Sequence, residues 1–138
     1  MLQFRLLIIA GMALLLSACA SAIHDRQQTV TVTSVPAGAR VTIYDANDAV
    51  VATDTTPFVA LLNRGAGYFK PAKYRLEFAK DGHADAQVSL TPRVNGGYFA
   101  NLFFGVFGLI GIIAVDPVTG AMYTLTPQDI EQPLTVVQ

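Results

Sequence analysis

A period of two runs through the middle of this chain, and a sheet is the regular structure that lets such a pattern bury its apolar side chains. Thr29-Val30-Thr31-Val32-Thr33 alternates without a slip, and every member is β-branched. Such side chains are stiff about χ1 and suit a pleated surface better than a helix. Val30 and Val32 therefore share one face and turn inward together. Arg40-Val41-Thr42-Ile43-Tyr44 repeats the pattern with Val41 and Ile43 inward, and Tyr74, Leu76 and Phe78 alternate with Arg75 and Glu77. Ala86, Val88 and Leu90 give a return strand its inward face.

Between these runs stand residues that reverse a chain. In Pro36-Ala37-Gly38-Ala39 the proline fixes φ and the glycine lacks the Cβ that a tight turn would crowd. Asp45-Ala46-Asn47-Asp48 forms the next loop, Val50 to Thr53 reads as a short strand, and Thr56-Pro57 punctuates before the apolar run Phe58-Val59-Ala60-Leu61-Leu62. The loop Asn63-Arg64-Gly65-Ala66-Gly67 comes next, and Lys80-Asp81-Gly82-His83 carries the Asp-Gly pair favoured in two-residue hairpins. About five to seven short strands with regular turn signals predict a mainly β chain built as a small antiparallel β-sandwich.

The first residues are of another kind. Met1 to Arg5 is short and basic, Leu6 to Leu16 is apolar, and small residues come after it, as in a secretory signal. Leu16-Ser17-Ala18 then meets Cys19, and these four residues resemble the lipobox of bacterial lipoproteins, Leu-[Ala/Ser]-[Gly/Ala]-Cys. The resemblance implies a signal peptide over 1–18, recognised through Leu16, Ser17 and Ala18, and a covalent diacylglycerol and N-acyl lipid, palmitate for example, on Cys19. A plain signal peptide, or an uncleaved anchor, with a chance cysteine is the alternative. Cys19 is the only cysteine, so an internal disulfide is excluded and its use is chemical. A single acyl chain anchors marginally, at about 0.8 kcal/mol per buried methylene, whereas two or three make release negligible. Ala20, where an inner-membrane lipoprotein would carry Asp, implies by the same resemblance an outer-membrane protein of the cell envelope facing the periplasm. Residues 19–28 read as a lipidated tether in which His24 is solvated.

Val35-Pro36-Ala37-Gly38-Ala39, Thr56-Pro57-Phe58, and Tyr74-Arg75-Leu76 leading to Lys80-Asp81-Gly82 resemble a PEGA domain. Ala37 replaces the glutamate of the Pro-Glu-Gly-Ala signature, and His83 stands where the family usually has an aromatic residue. The resemblance covers the stretch read as the sandwich, 29–92, and implies a surface or envelope module without catalytic residues. Asn101 to Gly105, Gly108, Asp116, Thr119-Gly120-Ala121-Met122-Tyr123 and Pro127 likewise resemble a block found at the C-terminal end of small PEGA-like lipoproteins.

Residues 93–138 are read as a Gly-rich hydrophobic segment with a C-terminal strand and tail. Tyr98 to Val115 contains no charge, at the lower edge of the length needed to span a bilayer. It is expected to form an apolar helix or hairpin. On a helix Gly105, Gly108 and Gly111 would form a flat strip against which a second helix could pack. The tail from Asp116 to Gln138 has no Lys or Arg, which disfavours its lying in the cytoplasm after a crossing. A segment packed on the sandwich or peripheral to the membrane is the leading expectation, ahead of one that oligomerises through its glycines.

Composition removes several functions. The residues from Ala20 onward carry eight basic and ten acidic side chains, with no basic face for nucleic acid. Ser21, Ser34 and Ser89 lie outside any Gly-x-Ser-x-Gly elbow, and a triad needs a base and an orienting acid in reach. His83 is the one candidate base. Two distant histidines and an acylated cysteine offer no metal cluster, and Asp45, Asn47 and Asp48 lack the glycine and distal glutamate of a calcium loop. The expectation is a non-enzymatic envelope lipoprotein, a binding or scaffold module held to the membrane by lipid, with an envelope protein or peptidoglycan as partner and no metal or other cofactor. The alternative is a self-associating, membrane-active homo-oligomer assembled through the three glycines.

Overall fold

The computed structural model describes residues 26–100, 105, 113–114 and 116–137. Ten strands, β1 (Gln27–Val35), β2 (Arg40–Tyr44), β3 (Val50–Thr55), β4 (Phe58–Asn63), β5 (Gly65–Gly67), β6 (Lys70–Pro71), β7 (Tyr74–Ala79), β8 (Ala86–Val94), β9 (Tyr123–Thr126) and β10 (Asp129–Pro133), are joined by α1 (Gly96–Ala100) and α2 (Asp116–Thr119) among these residues. One sheet runs β10-β1-β4, the other β3-β2-β7-β8-β9, and β5 with β6 makes a small hairpin. The chain is mainly β, as its alternation requires.

That alternation decides which side chains meet. Val30 and Val32 of β1, Ala60 and Leu62 of β4 and Ile130 of β10 face Val41 and Ile43 of β2, Leu76 and Phe78 of β7, Leu90 of β8 and Leu125 of β9 in one core. Burying each larger side chain is worth about 1.5–3 kcal/mol. Among the buried polar residues Gln28, 4 % exposed, donates through Nε2 to the Leu125 carbonyl at 2.7 Å and accepts from the Leu125 amide at 2.9 Å. Leu125 faces Pro92 across the β8–β9 pair. Proline has no N–H to give, and the Gln28 carboxamide serves the Leu125 peptide groups as a neighbouring strand would.

The strands share two ends. At the near end β1 begins, β4 stops with Asn63 opposite Gln27, and β7 starts, its Tyr74 hydroxyl donating to the Asn63 carbonyl at 3.0 Å. At the far end the three stretches of the PEGA resemblance come together. Thr56 Oγ1 accepts from the amides of Gly38 and Ala39 at 3.1 and 3.0 Å and lies 2.6 Å from Ser34 Oγ, while Lys80 Nζ donates to the Gly38 carbonyl at 3.3 Å. Gly38 takes φ +84°, a conformation that its missing Cβ permits. At a rise of about 3.3 Å per residue, β1 separates the two ends by roughly 26 Å.

The chain beyond residue 92 completes both sheets, and the expected division there falls inside β8. β9 pairs antiparallel with β8, and β10 lies parallel to β1 with Thr31 opposite Asp129 and Val35 opposite Pro133. The sandwich is therefore antiparallel except at this pair. At the other boundary β1 begins within the stretch read as tether, at Gln27. Of the apolar segment, α1 is five residues long, and the part expected to form a helix or hairpin lies mostly outside the described residues.

Candidate functional site

Leu16, Ser17, Ala18 and Cys19, together with Gly108 and Gly111, lie outside the described residues. Gly105 is described: it is exposed, takes φ +59°, and an added Cβ there would meet nothing within 4 Å. A left-handed residue of this kind ends or turns a helix and is foreign to its interior. Among the described residues no helix is long and apolar enough to cross a membrane.

The residues read as possible chemistry are occupied in the fold. His83 Nδ1 lies 3.0 Å from the Asp81 carbonyl and its backbone bridges to Val136, which ties the C-terminal residues to the hairpin turn. Ser34 belongs to the buried network around Thr56. Asp45 Oδ1 accepts from the amides of Asn47 and Ala49 at 2.7 and 3.0 Å, so it closes its own loop. The amide bonds from Ala49 and then Asn47 hold its carboxyl below the ordinary 3.8. Next to it Arg75 bonds Asp48 at 2.7 Å and Glu77 at 2.9 Å while its guanidinium covers the Tyr44 ring at 4.8 Å. No group of three or more His, Cys, Asp or Glu that could hold a metal ion occurs among the described residues.

The near end is different in character. The β5–β6 hairpin reaches out from Asn63 and carries Tyr68 and Phe69 at its tip, their rings edge to face at 4.8 Å. The tip is braced from three sides. Tyr68 Oη donates to the Ile113 carbonyl at 2.9 Å, the Phe69 amide to the Pro117 carbonyl at 3.3 Å, and Tyr123 Oη to the Phe69 carbonyl at 3.1 Å. Beneath it two backbones cross with no room between them: a Cβ on Gly65 would lie 2.9 Å from Gly120 Cα, and one on Gly120 would lie 2.6 Å from Gly65 Cα. Glycine is required at both positions because no side chain fits the crossing.

Around this crossing the start of the domain and both limits of the apolar segment converge. The Arg64 amide donates to the Arg26 carbonyl at 2.8 Å, and the Asn95 amide to the Met122 carbonyl at 2.7 Å. The excursion between Asn95 and Met122 thus leaves the sandwich and returns to the point it left. A single membrane crossing within it is topologically excluded, because β9 and β10 after it sit in the same sheets as β1 to β8 before it.

Exposed apolar side chains of this end include Tyr68 (56 %), Phe69 (45 %), Phe99 (62 %), Ile113 (59 %) and Val118 (56 %), with Val94 and Val51 further along the strands. Exposed apolar side chains gathered at one end of a domain are candidates for a contact. Burial raises the Tyr74 phenol above its ordinary 10.0, so it remains a neutral donor to Asn63. The sequence singles out the apolar segment, but Tyr68 and Phe69 escape it because a lone aromatic pair in a glycine-bounded loop has no period to flag it.

No protein-family model, curated protein or solved structure matches the chain.

Proposed function

We propose that this chain is a lipid-anchored, non-enzymatic module of the bacterial cell envelope, a PEGA-like sandwich that presents its far-end loops and open strands to a partner. Support for the anchor comes from Leu16 to Cys19, and support for the module from a sandwich whose two ends differ in character. The observation that carries the proposal is the closed excursion between Asn95 and Met122, which returns the chain to the end where β1 begins. A fold whose apolar excursion and N-terminal entry share one end has a membrane side and a free side. Among the described residues Ser34, His83 and Asp45 are engaged in turns and in the core, while Ser89 is exposed on β8. Strand addition at β3 or β4, each of which ends its sheet, is the kind of contact such a module makes. Self-association through a glycine strip is the weaker reading, since Gly105 takes a left-handed conformation.

The test combines fractionation of wild type and Cys19→Ala with protease accessibility of a C-terminal tag. The proposal expects wild type in the outer-membrane fraction, loss of that fraction in Cys19→Ala, and cleavage of the tag as soon as the outer membrane is permeabilised. A tag protected until the inner membrane is lysed would refute it.

A further inference from the structure

We infer that the near end of the sandwich is a membrane-docking surface that seats on phospholipid and holds the domain upright on the bilayer. The surface draws on Tyr68, Phe69, Phe99, Ile113 and Val118, with the basic residues Arg26, Lys70, Lys73 and Arg93 at the same end of the sandwich. The inference rests on the lipid-anchored reading and adds to it an orientation and a second contact.

The placement of the anchor leads to it. Seven residues, Ala20 to Arg26, join Cys19 to the start of β1. Fully extended they span at most about 25 Å, so a lipid on Cys19 keeps the near end within that distance of the bilayer. A tether this short raises the effective concentration of the surface at the membrane to the millimolar range, so even a contact too weak to recruit the protein unaided is occupied.

The side chains suit lipid better than a protein groove. Exposed aromatic rings with polar tips settle at the level of the headgroups, and apolar neighbours reach past them. Basic groups beside them meet lipid phosphates. Charge is distributed accordingly. Arg26 and Arg64 flank the entry of β1, Lys70 and Lys73 come just after the hairpin tip, and Arg93 lies on the near half of β8. Of the acidic residues at this end, Asp48 is paired with Arg75, Asp45 is engaged by its own loop, and Asp116 opens α2. The far end is nearly balanced, with Asp54, Asp81 and Asp85 beside Arg40 and Lys80.

Cys19 is the only cysteine, and acylation blocks its thiol, so one introduced cysteine takes a bimane label alone. Full-length Phe69→Cys, Val118→Cys and Val136→Cys are matured in the envelope, labelled, and reconstituted in vesicles of phosphatidylethanolamine and phosphatidylglycerol that contain brominated phospholipid as a contact quencher. Emission at 69 and at 118 is expected to fall about twofold or more while emission at 136, at the far end, stays unchanged. Val118→Cys keeps the test decisive if the left-handed turn at Phe69 tolerates cysteine poorly. Equal quenching at all three positions, or none at 69 and 118 in acylated protein, overturns the docking surface. Mass spectrometry of the same sample reads the anchor separately. An unacylated Cys19 refutes the anchor, and sedimentation of the unlabelled chain with the same vesicles then decides the surface. Retention that falls about tenfold in Phe69→Asp upholds it, and no retention of wild type overturns it.

Discussion

Replacing Gln28 by methionine tests whether one buried carboxamide stands in for a missing strand. Methionine keeps an unbranched chain of similar length and removes both hydrogen bonds. The Leu125 amide and carbonyl, 2.9 and 2.7 Å from the present carboxamide, are then left in a core where Leu125 itself has no exposed surface. Two unsatisfied buried groups cost about 1–3 kcal/mol each. The more apolar side chain offsets about 1 kcal/mol of this, for a net loss of about 1–5 kcal/mol. In a domain of roughly 110 residues each kcal/mol lowers the melting temperature by about 4 °C, so a fall of about 4–20 °C is expected for the mature chain in detergent.

Gln28→Glu separates the hydrogen bonds from packing, because its shape is that of glutamine and only protonation lets it donate to the Leu125 carbonyl. Burial and that carbonyl both disfavour the carboxylate, so the folded-state pKa lies above the unfolded value of about 4.3. A group raised in this way contributes its full stability below the unfolded pKa and loses it as pH rises through the folded one. The variant is therefore closest to wild type near pH 4 and falls behind toward neutrality. Urea titrations across that range measure the gap. A constant gap, or Gln28→Met as stable as wild type, would show that the Leu125 peptide finds other partners.

Other substitutions probe the two ends. Thr56→Val removes the hydroxyl shared by Ser34, Gly38 and Ala39 and is expected to cost about 1–3 kcal/mol in chemical denaturation, with Thr56→Ser recovering most of it. Gly120→Ala and Gly82→Ala both force alanine into positive φ, +76° and +74°, but only Gly120 abuts another backbone. Gly82→Ala should cost about 1 kcal/mol, and Gly120→Ala clearly more, with faster proteolysis at the Tyr68–Phe69 tip. The lowered pKa of Asp45 makes its loop's contribution present above the ordinary 3.8 and lost as pH falls through the lower folded value. Asp45→Asn should flatten that acid limb of the stability profile.

How much of this fold is legible in the sequence depends on how its side chains are patterned. β1, β2, β7 and β8 bury alternate residues, so a period of two reveals them, and Asp81-Gly82 marks the turn between β7 and β8 by its conformation alone. β10 escapes notice because Asp129-Ile130-Glu131-Gln132-Pro133 buries only Ile130, and one apolar residue has no period. Its parallel pairing with β1 joins residues almost a hundred positions apart, a relation that no local signal carries. Gln28 reads as tether for the same reason: a polar residue at a strand's start looks solvated until Leu125, brought in from the far side of the apolar segment, makes it a core residue. The far-end network is half legible. Pro36 to Ala39 and Thr56-Pro57 stand out as turns, but only the fold shows that one hydroxyl holds both.

These late arrivals also shape the near end. Had the domain ended with β8, Leu90 and the Tyr74 side of the core would lack the cover that Leu125 gives, and Gln28 would have no partner. Because β9 and β10 must enter the sheets, the apolar excursion has to close on itself, and it closes where Gly120 crosses Gly65 with no side chain between. The same crossing that locks β9 into register therefore fixes the hairpin bearing Tyr68 and Phe69. Coupling of this kind makes the exposed apolar surface part of the folded domain, and it predicts that loosening the crossing weakens core stability and surface contact together.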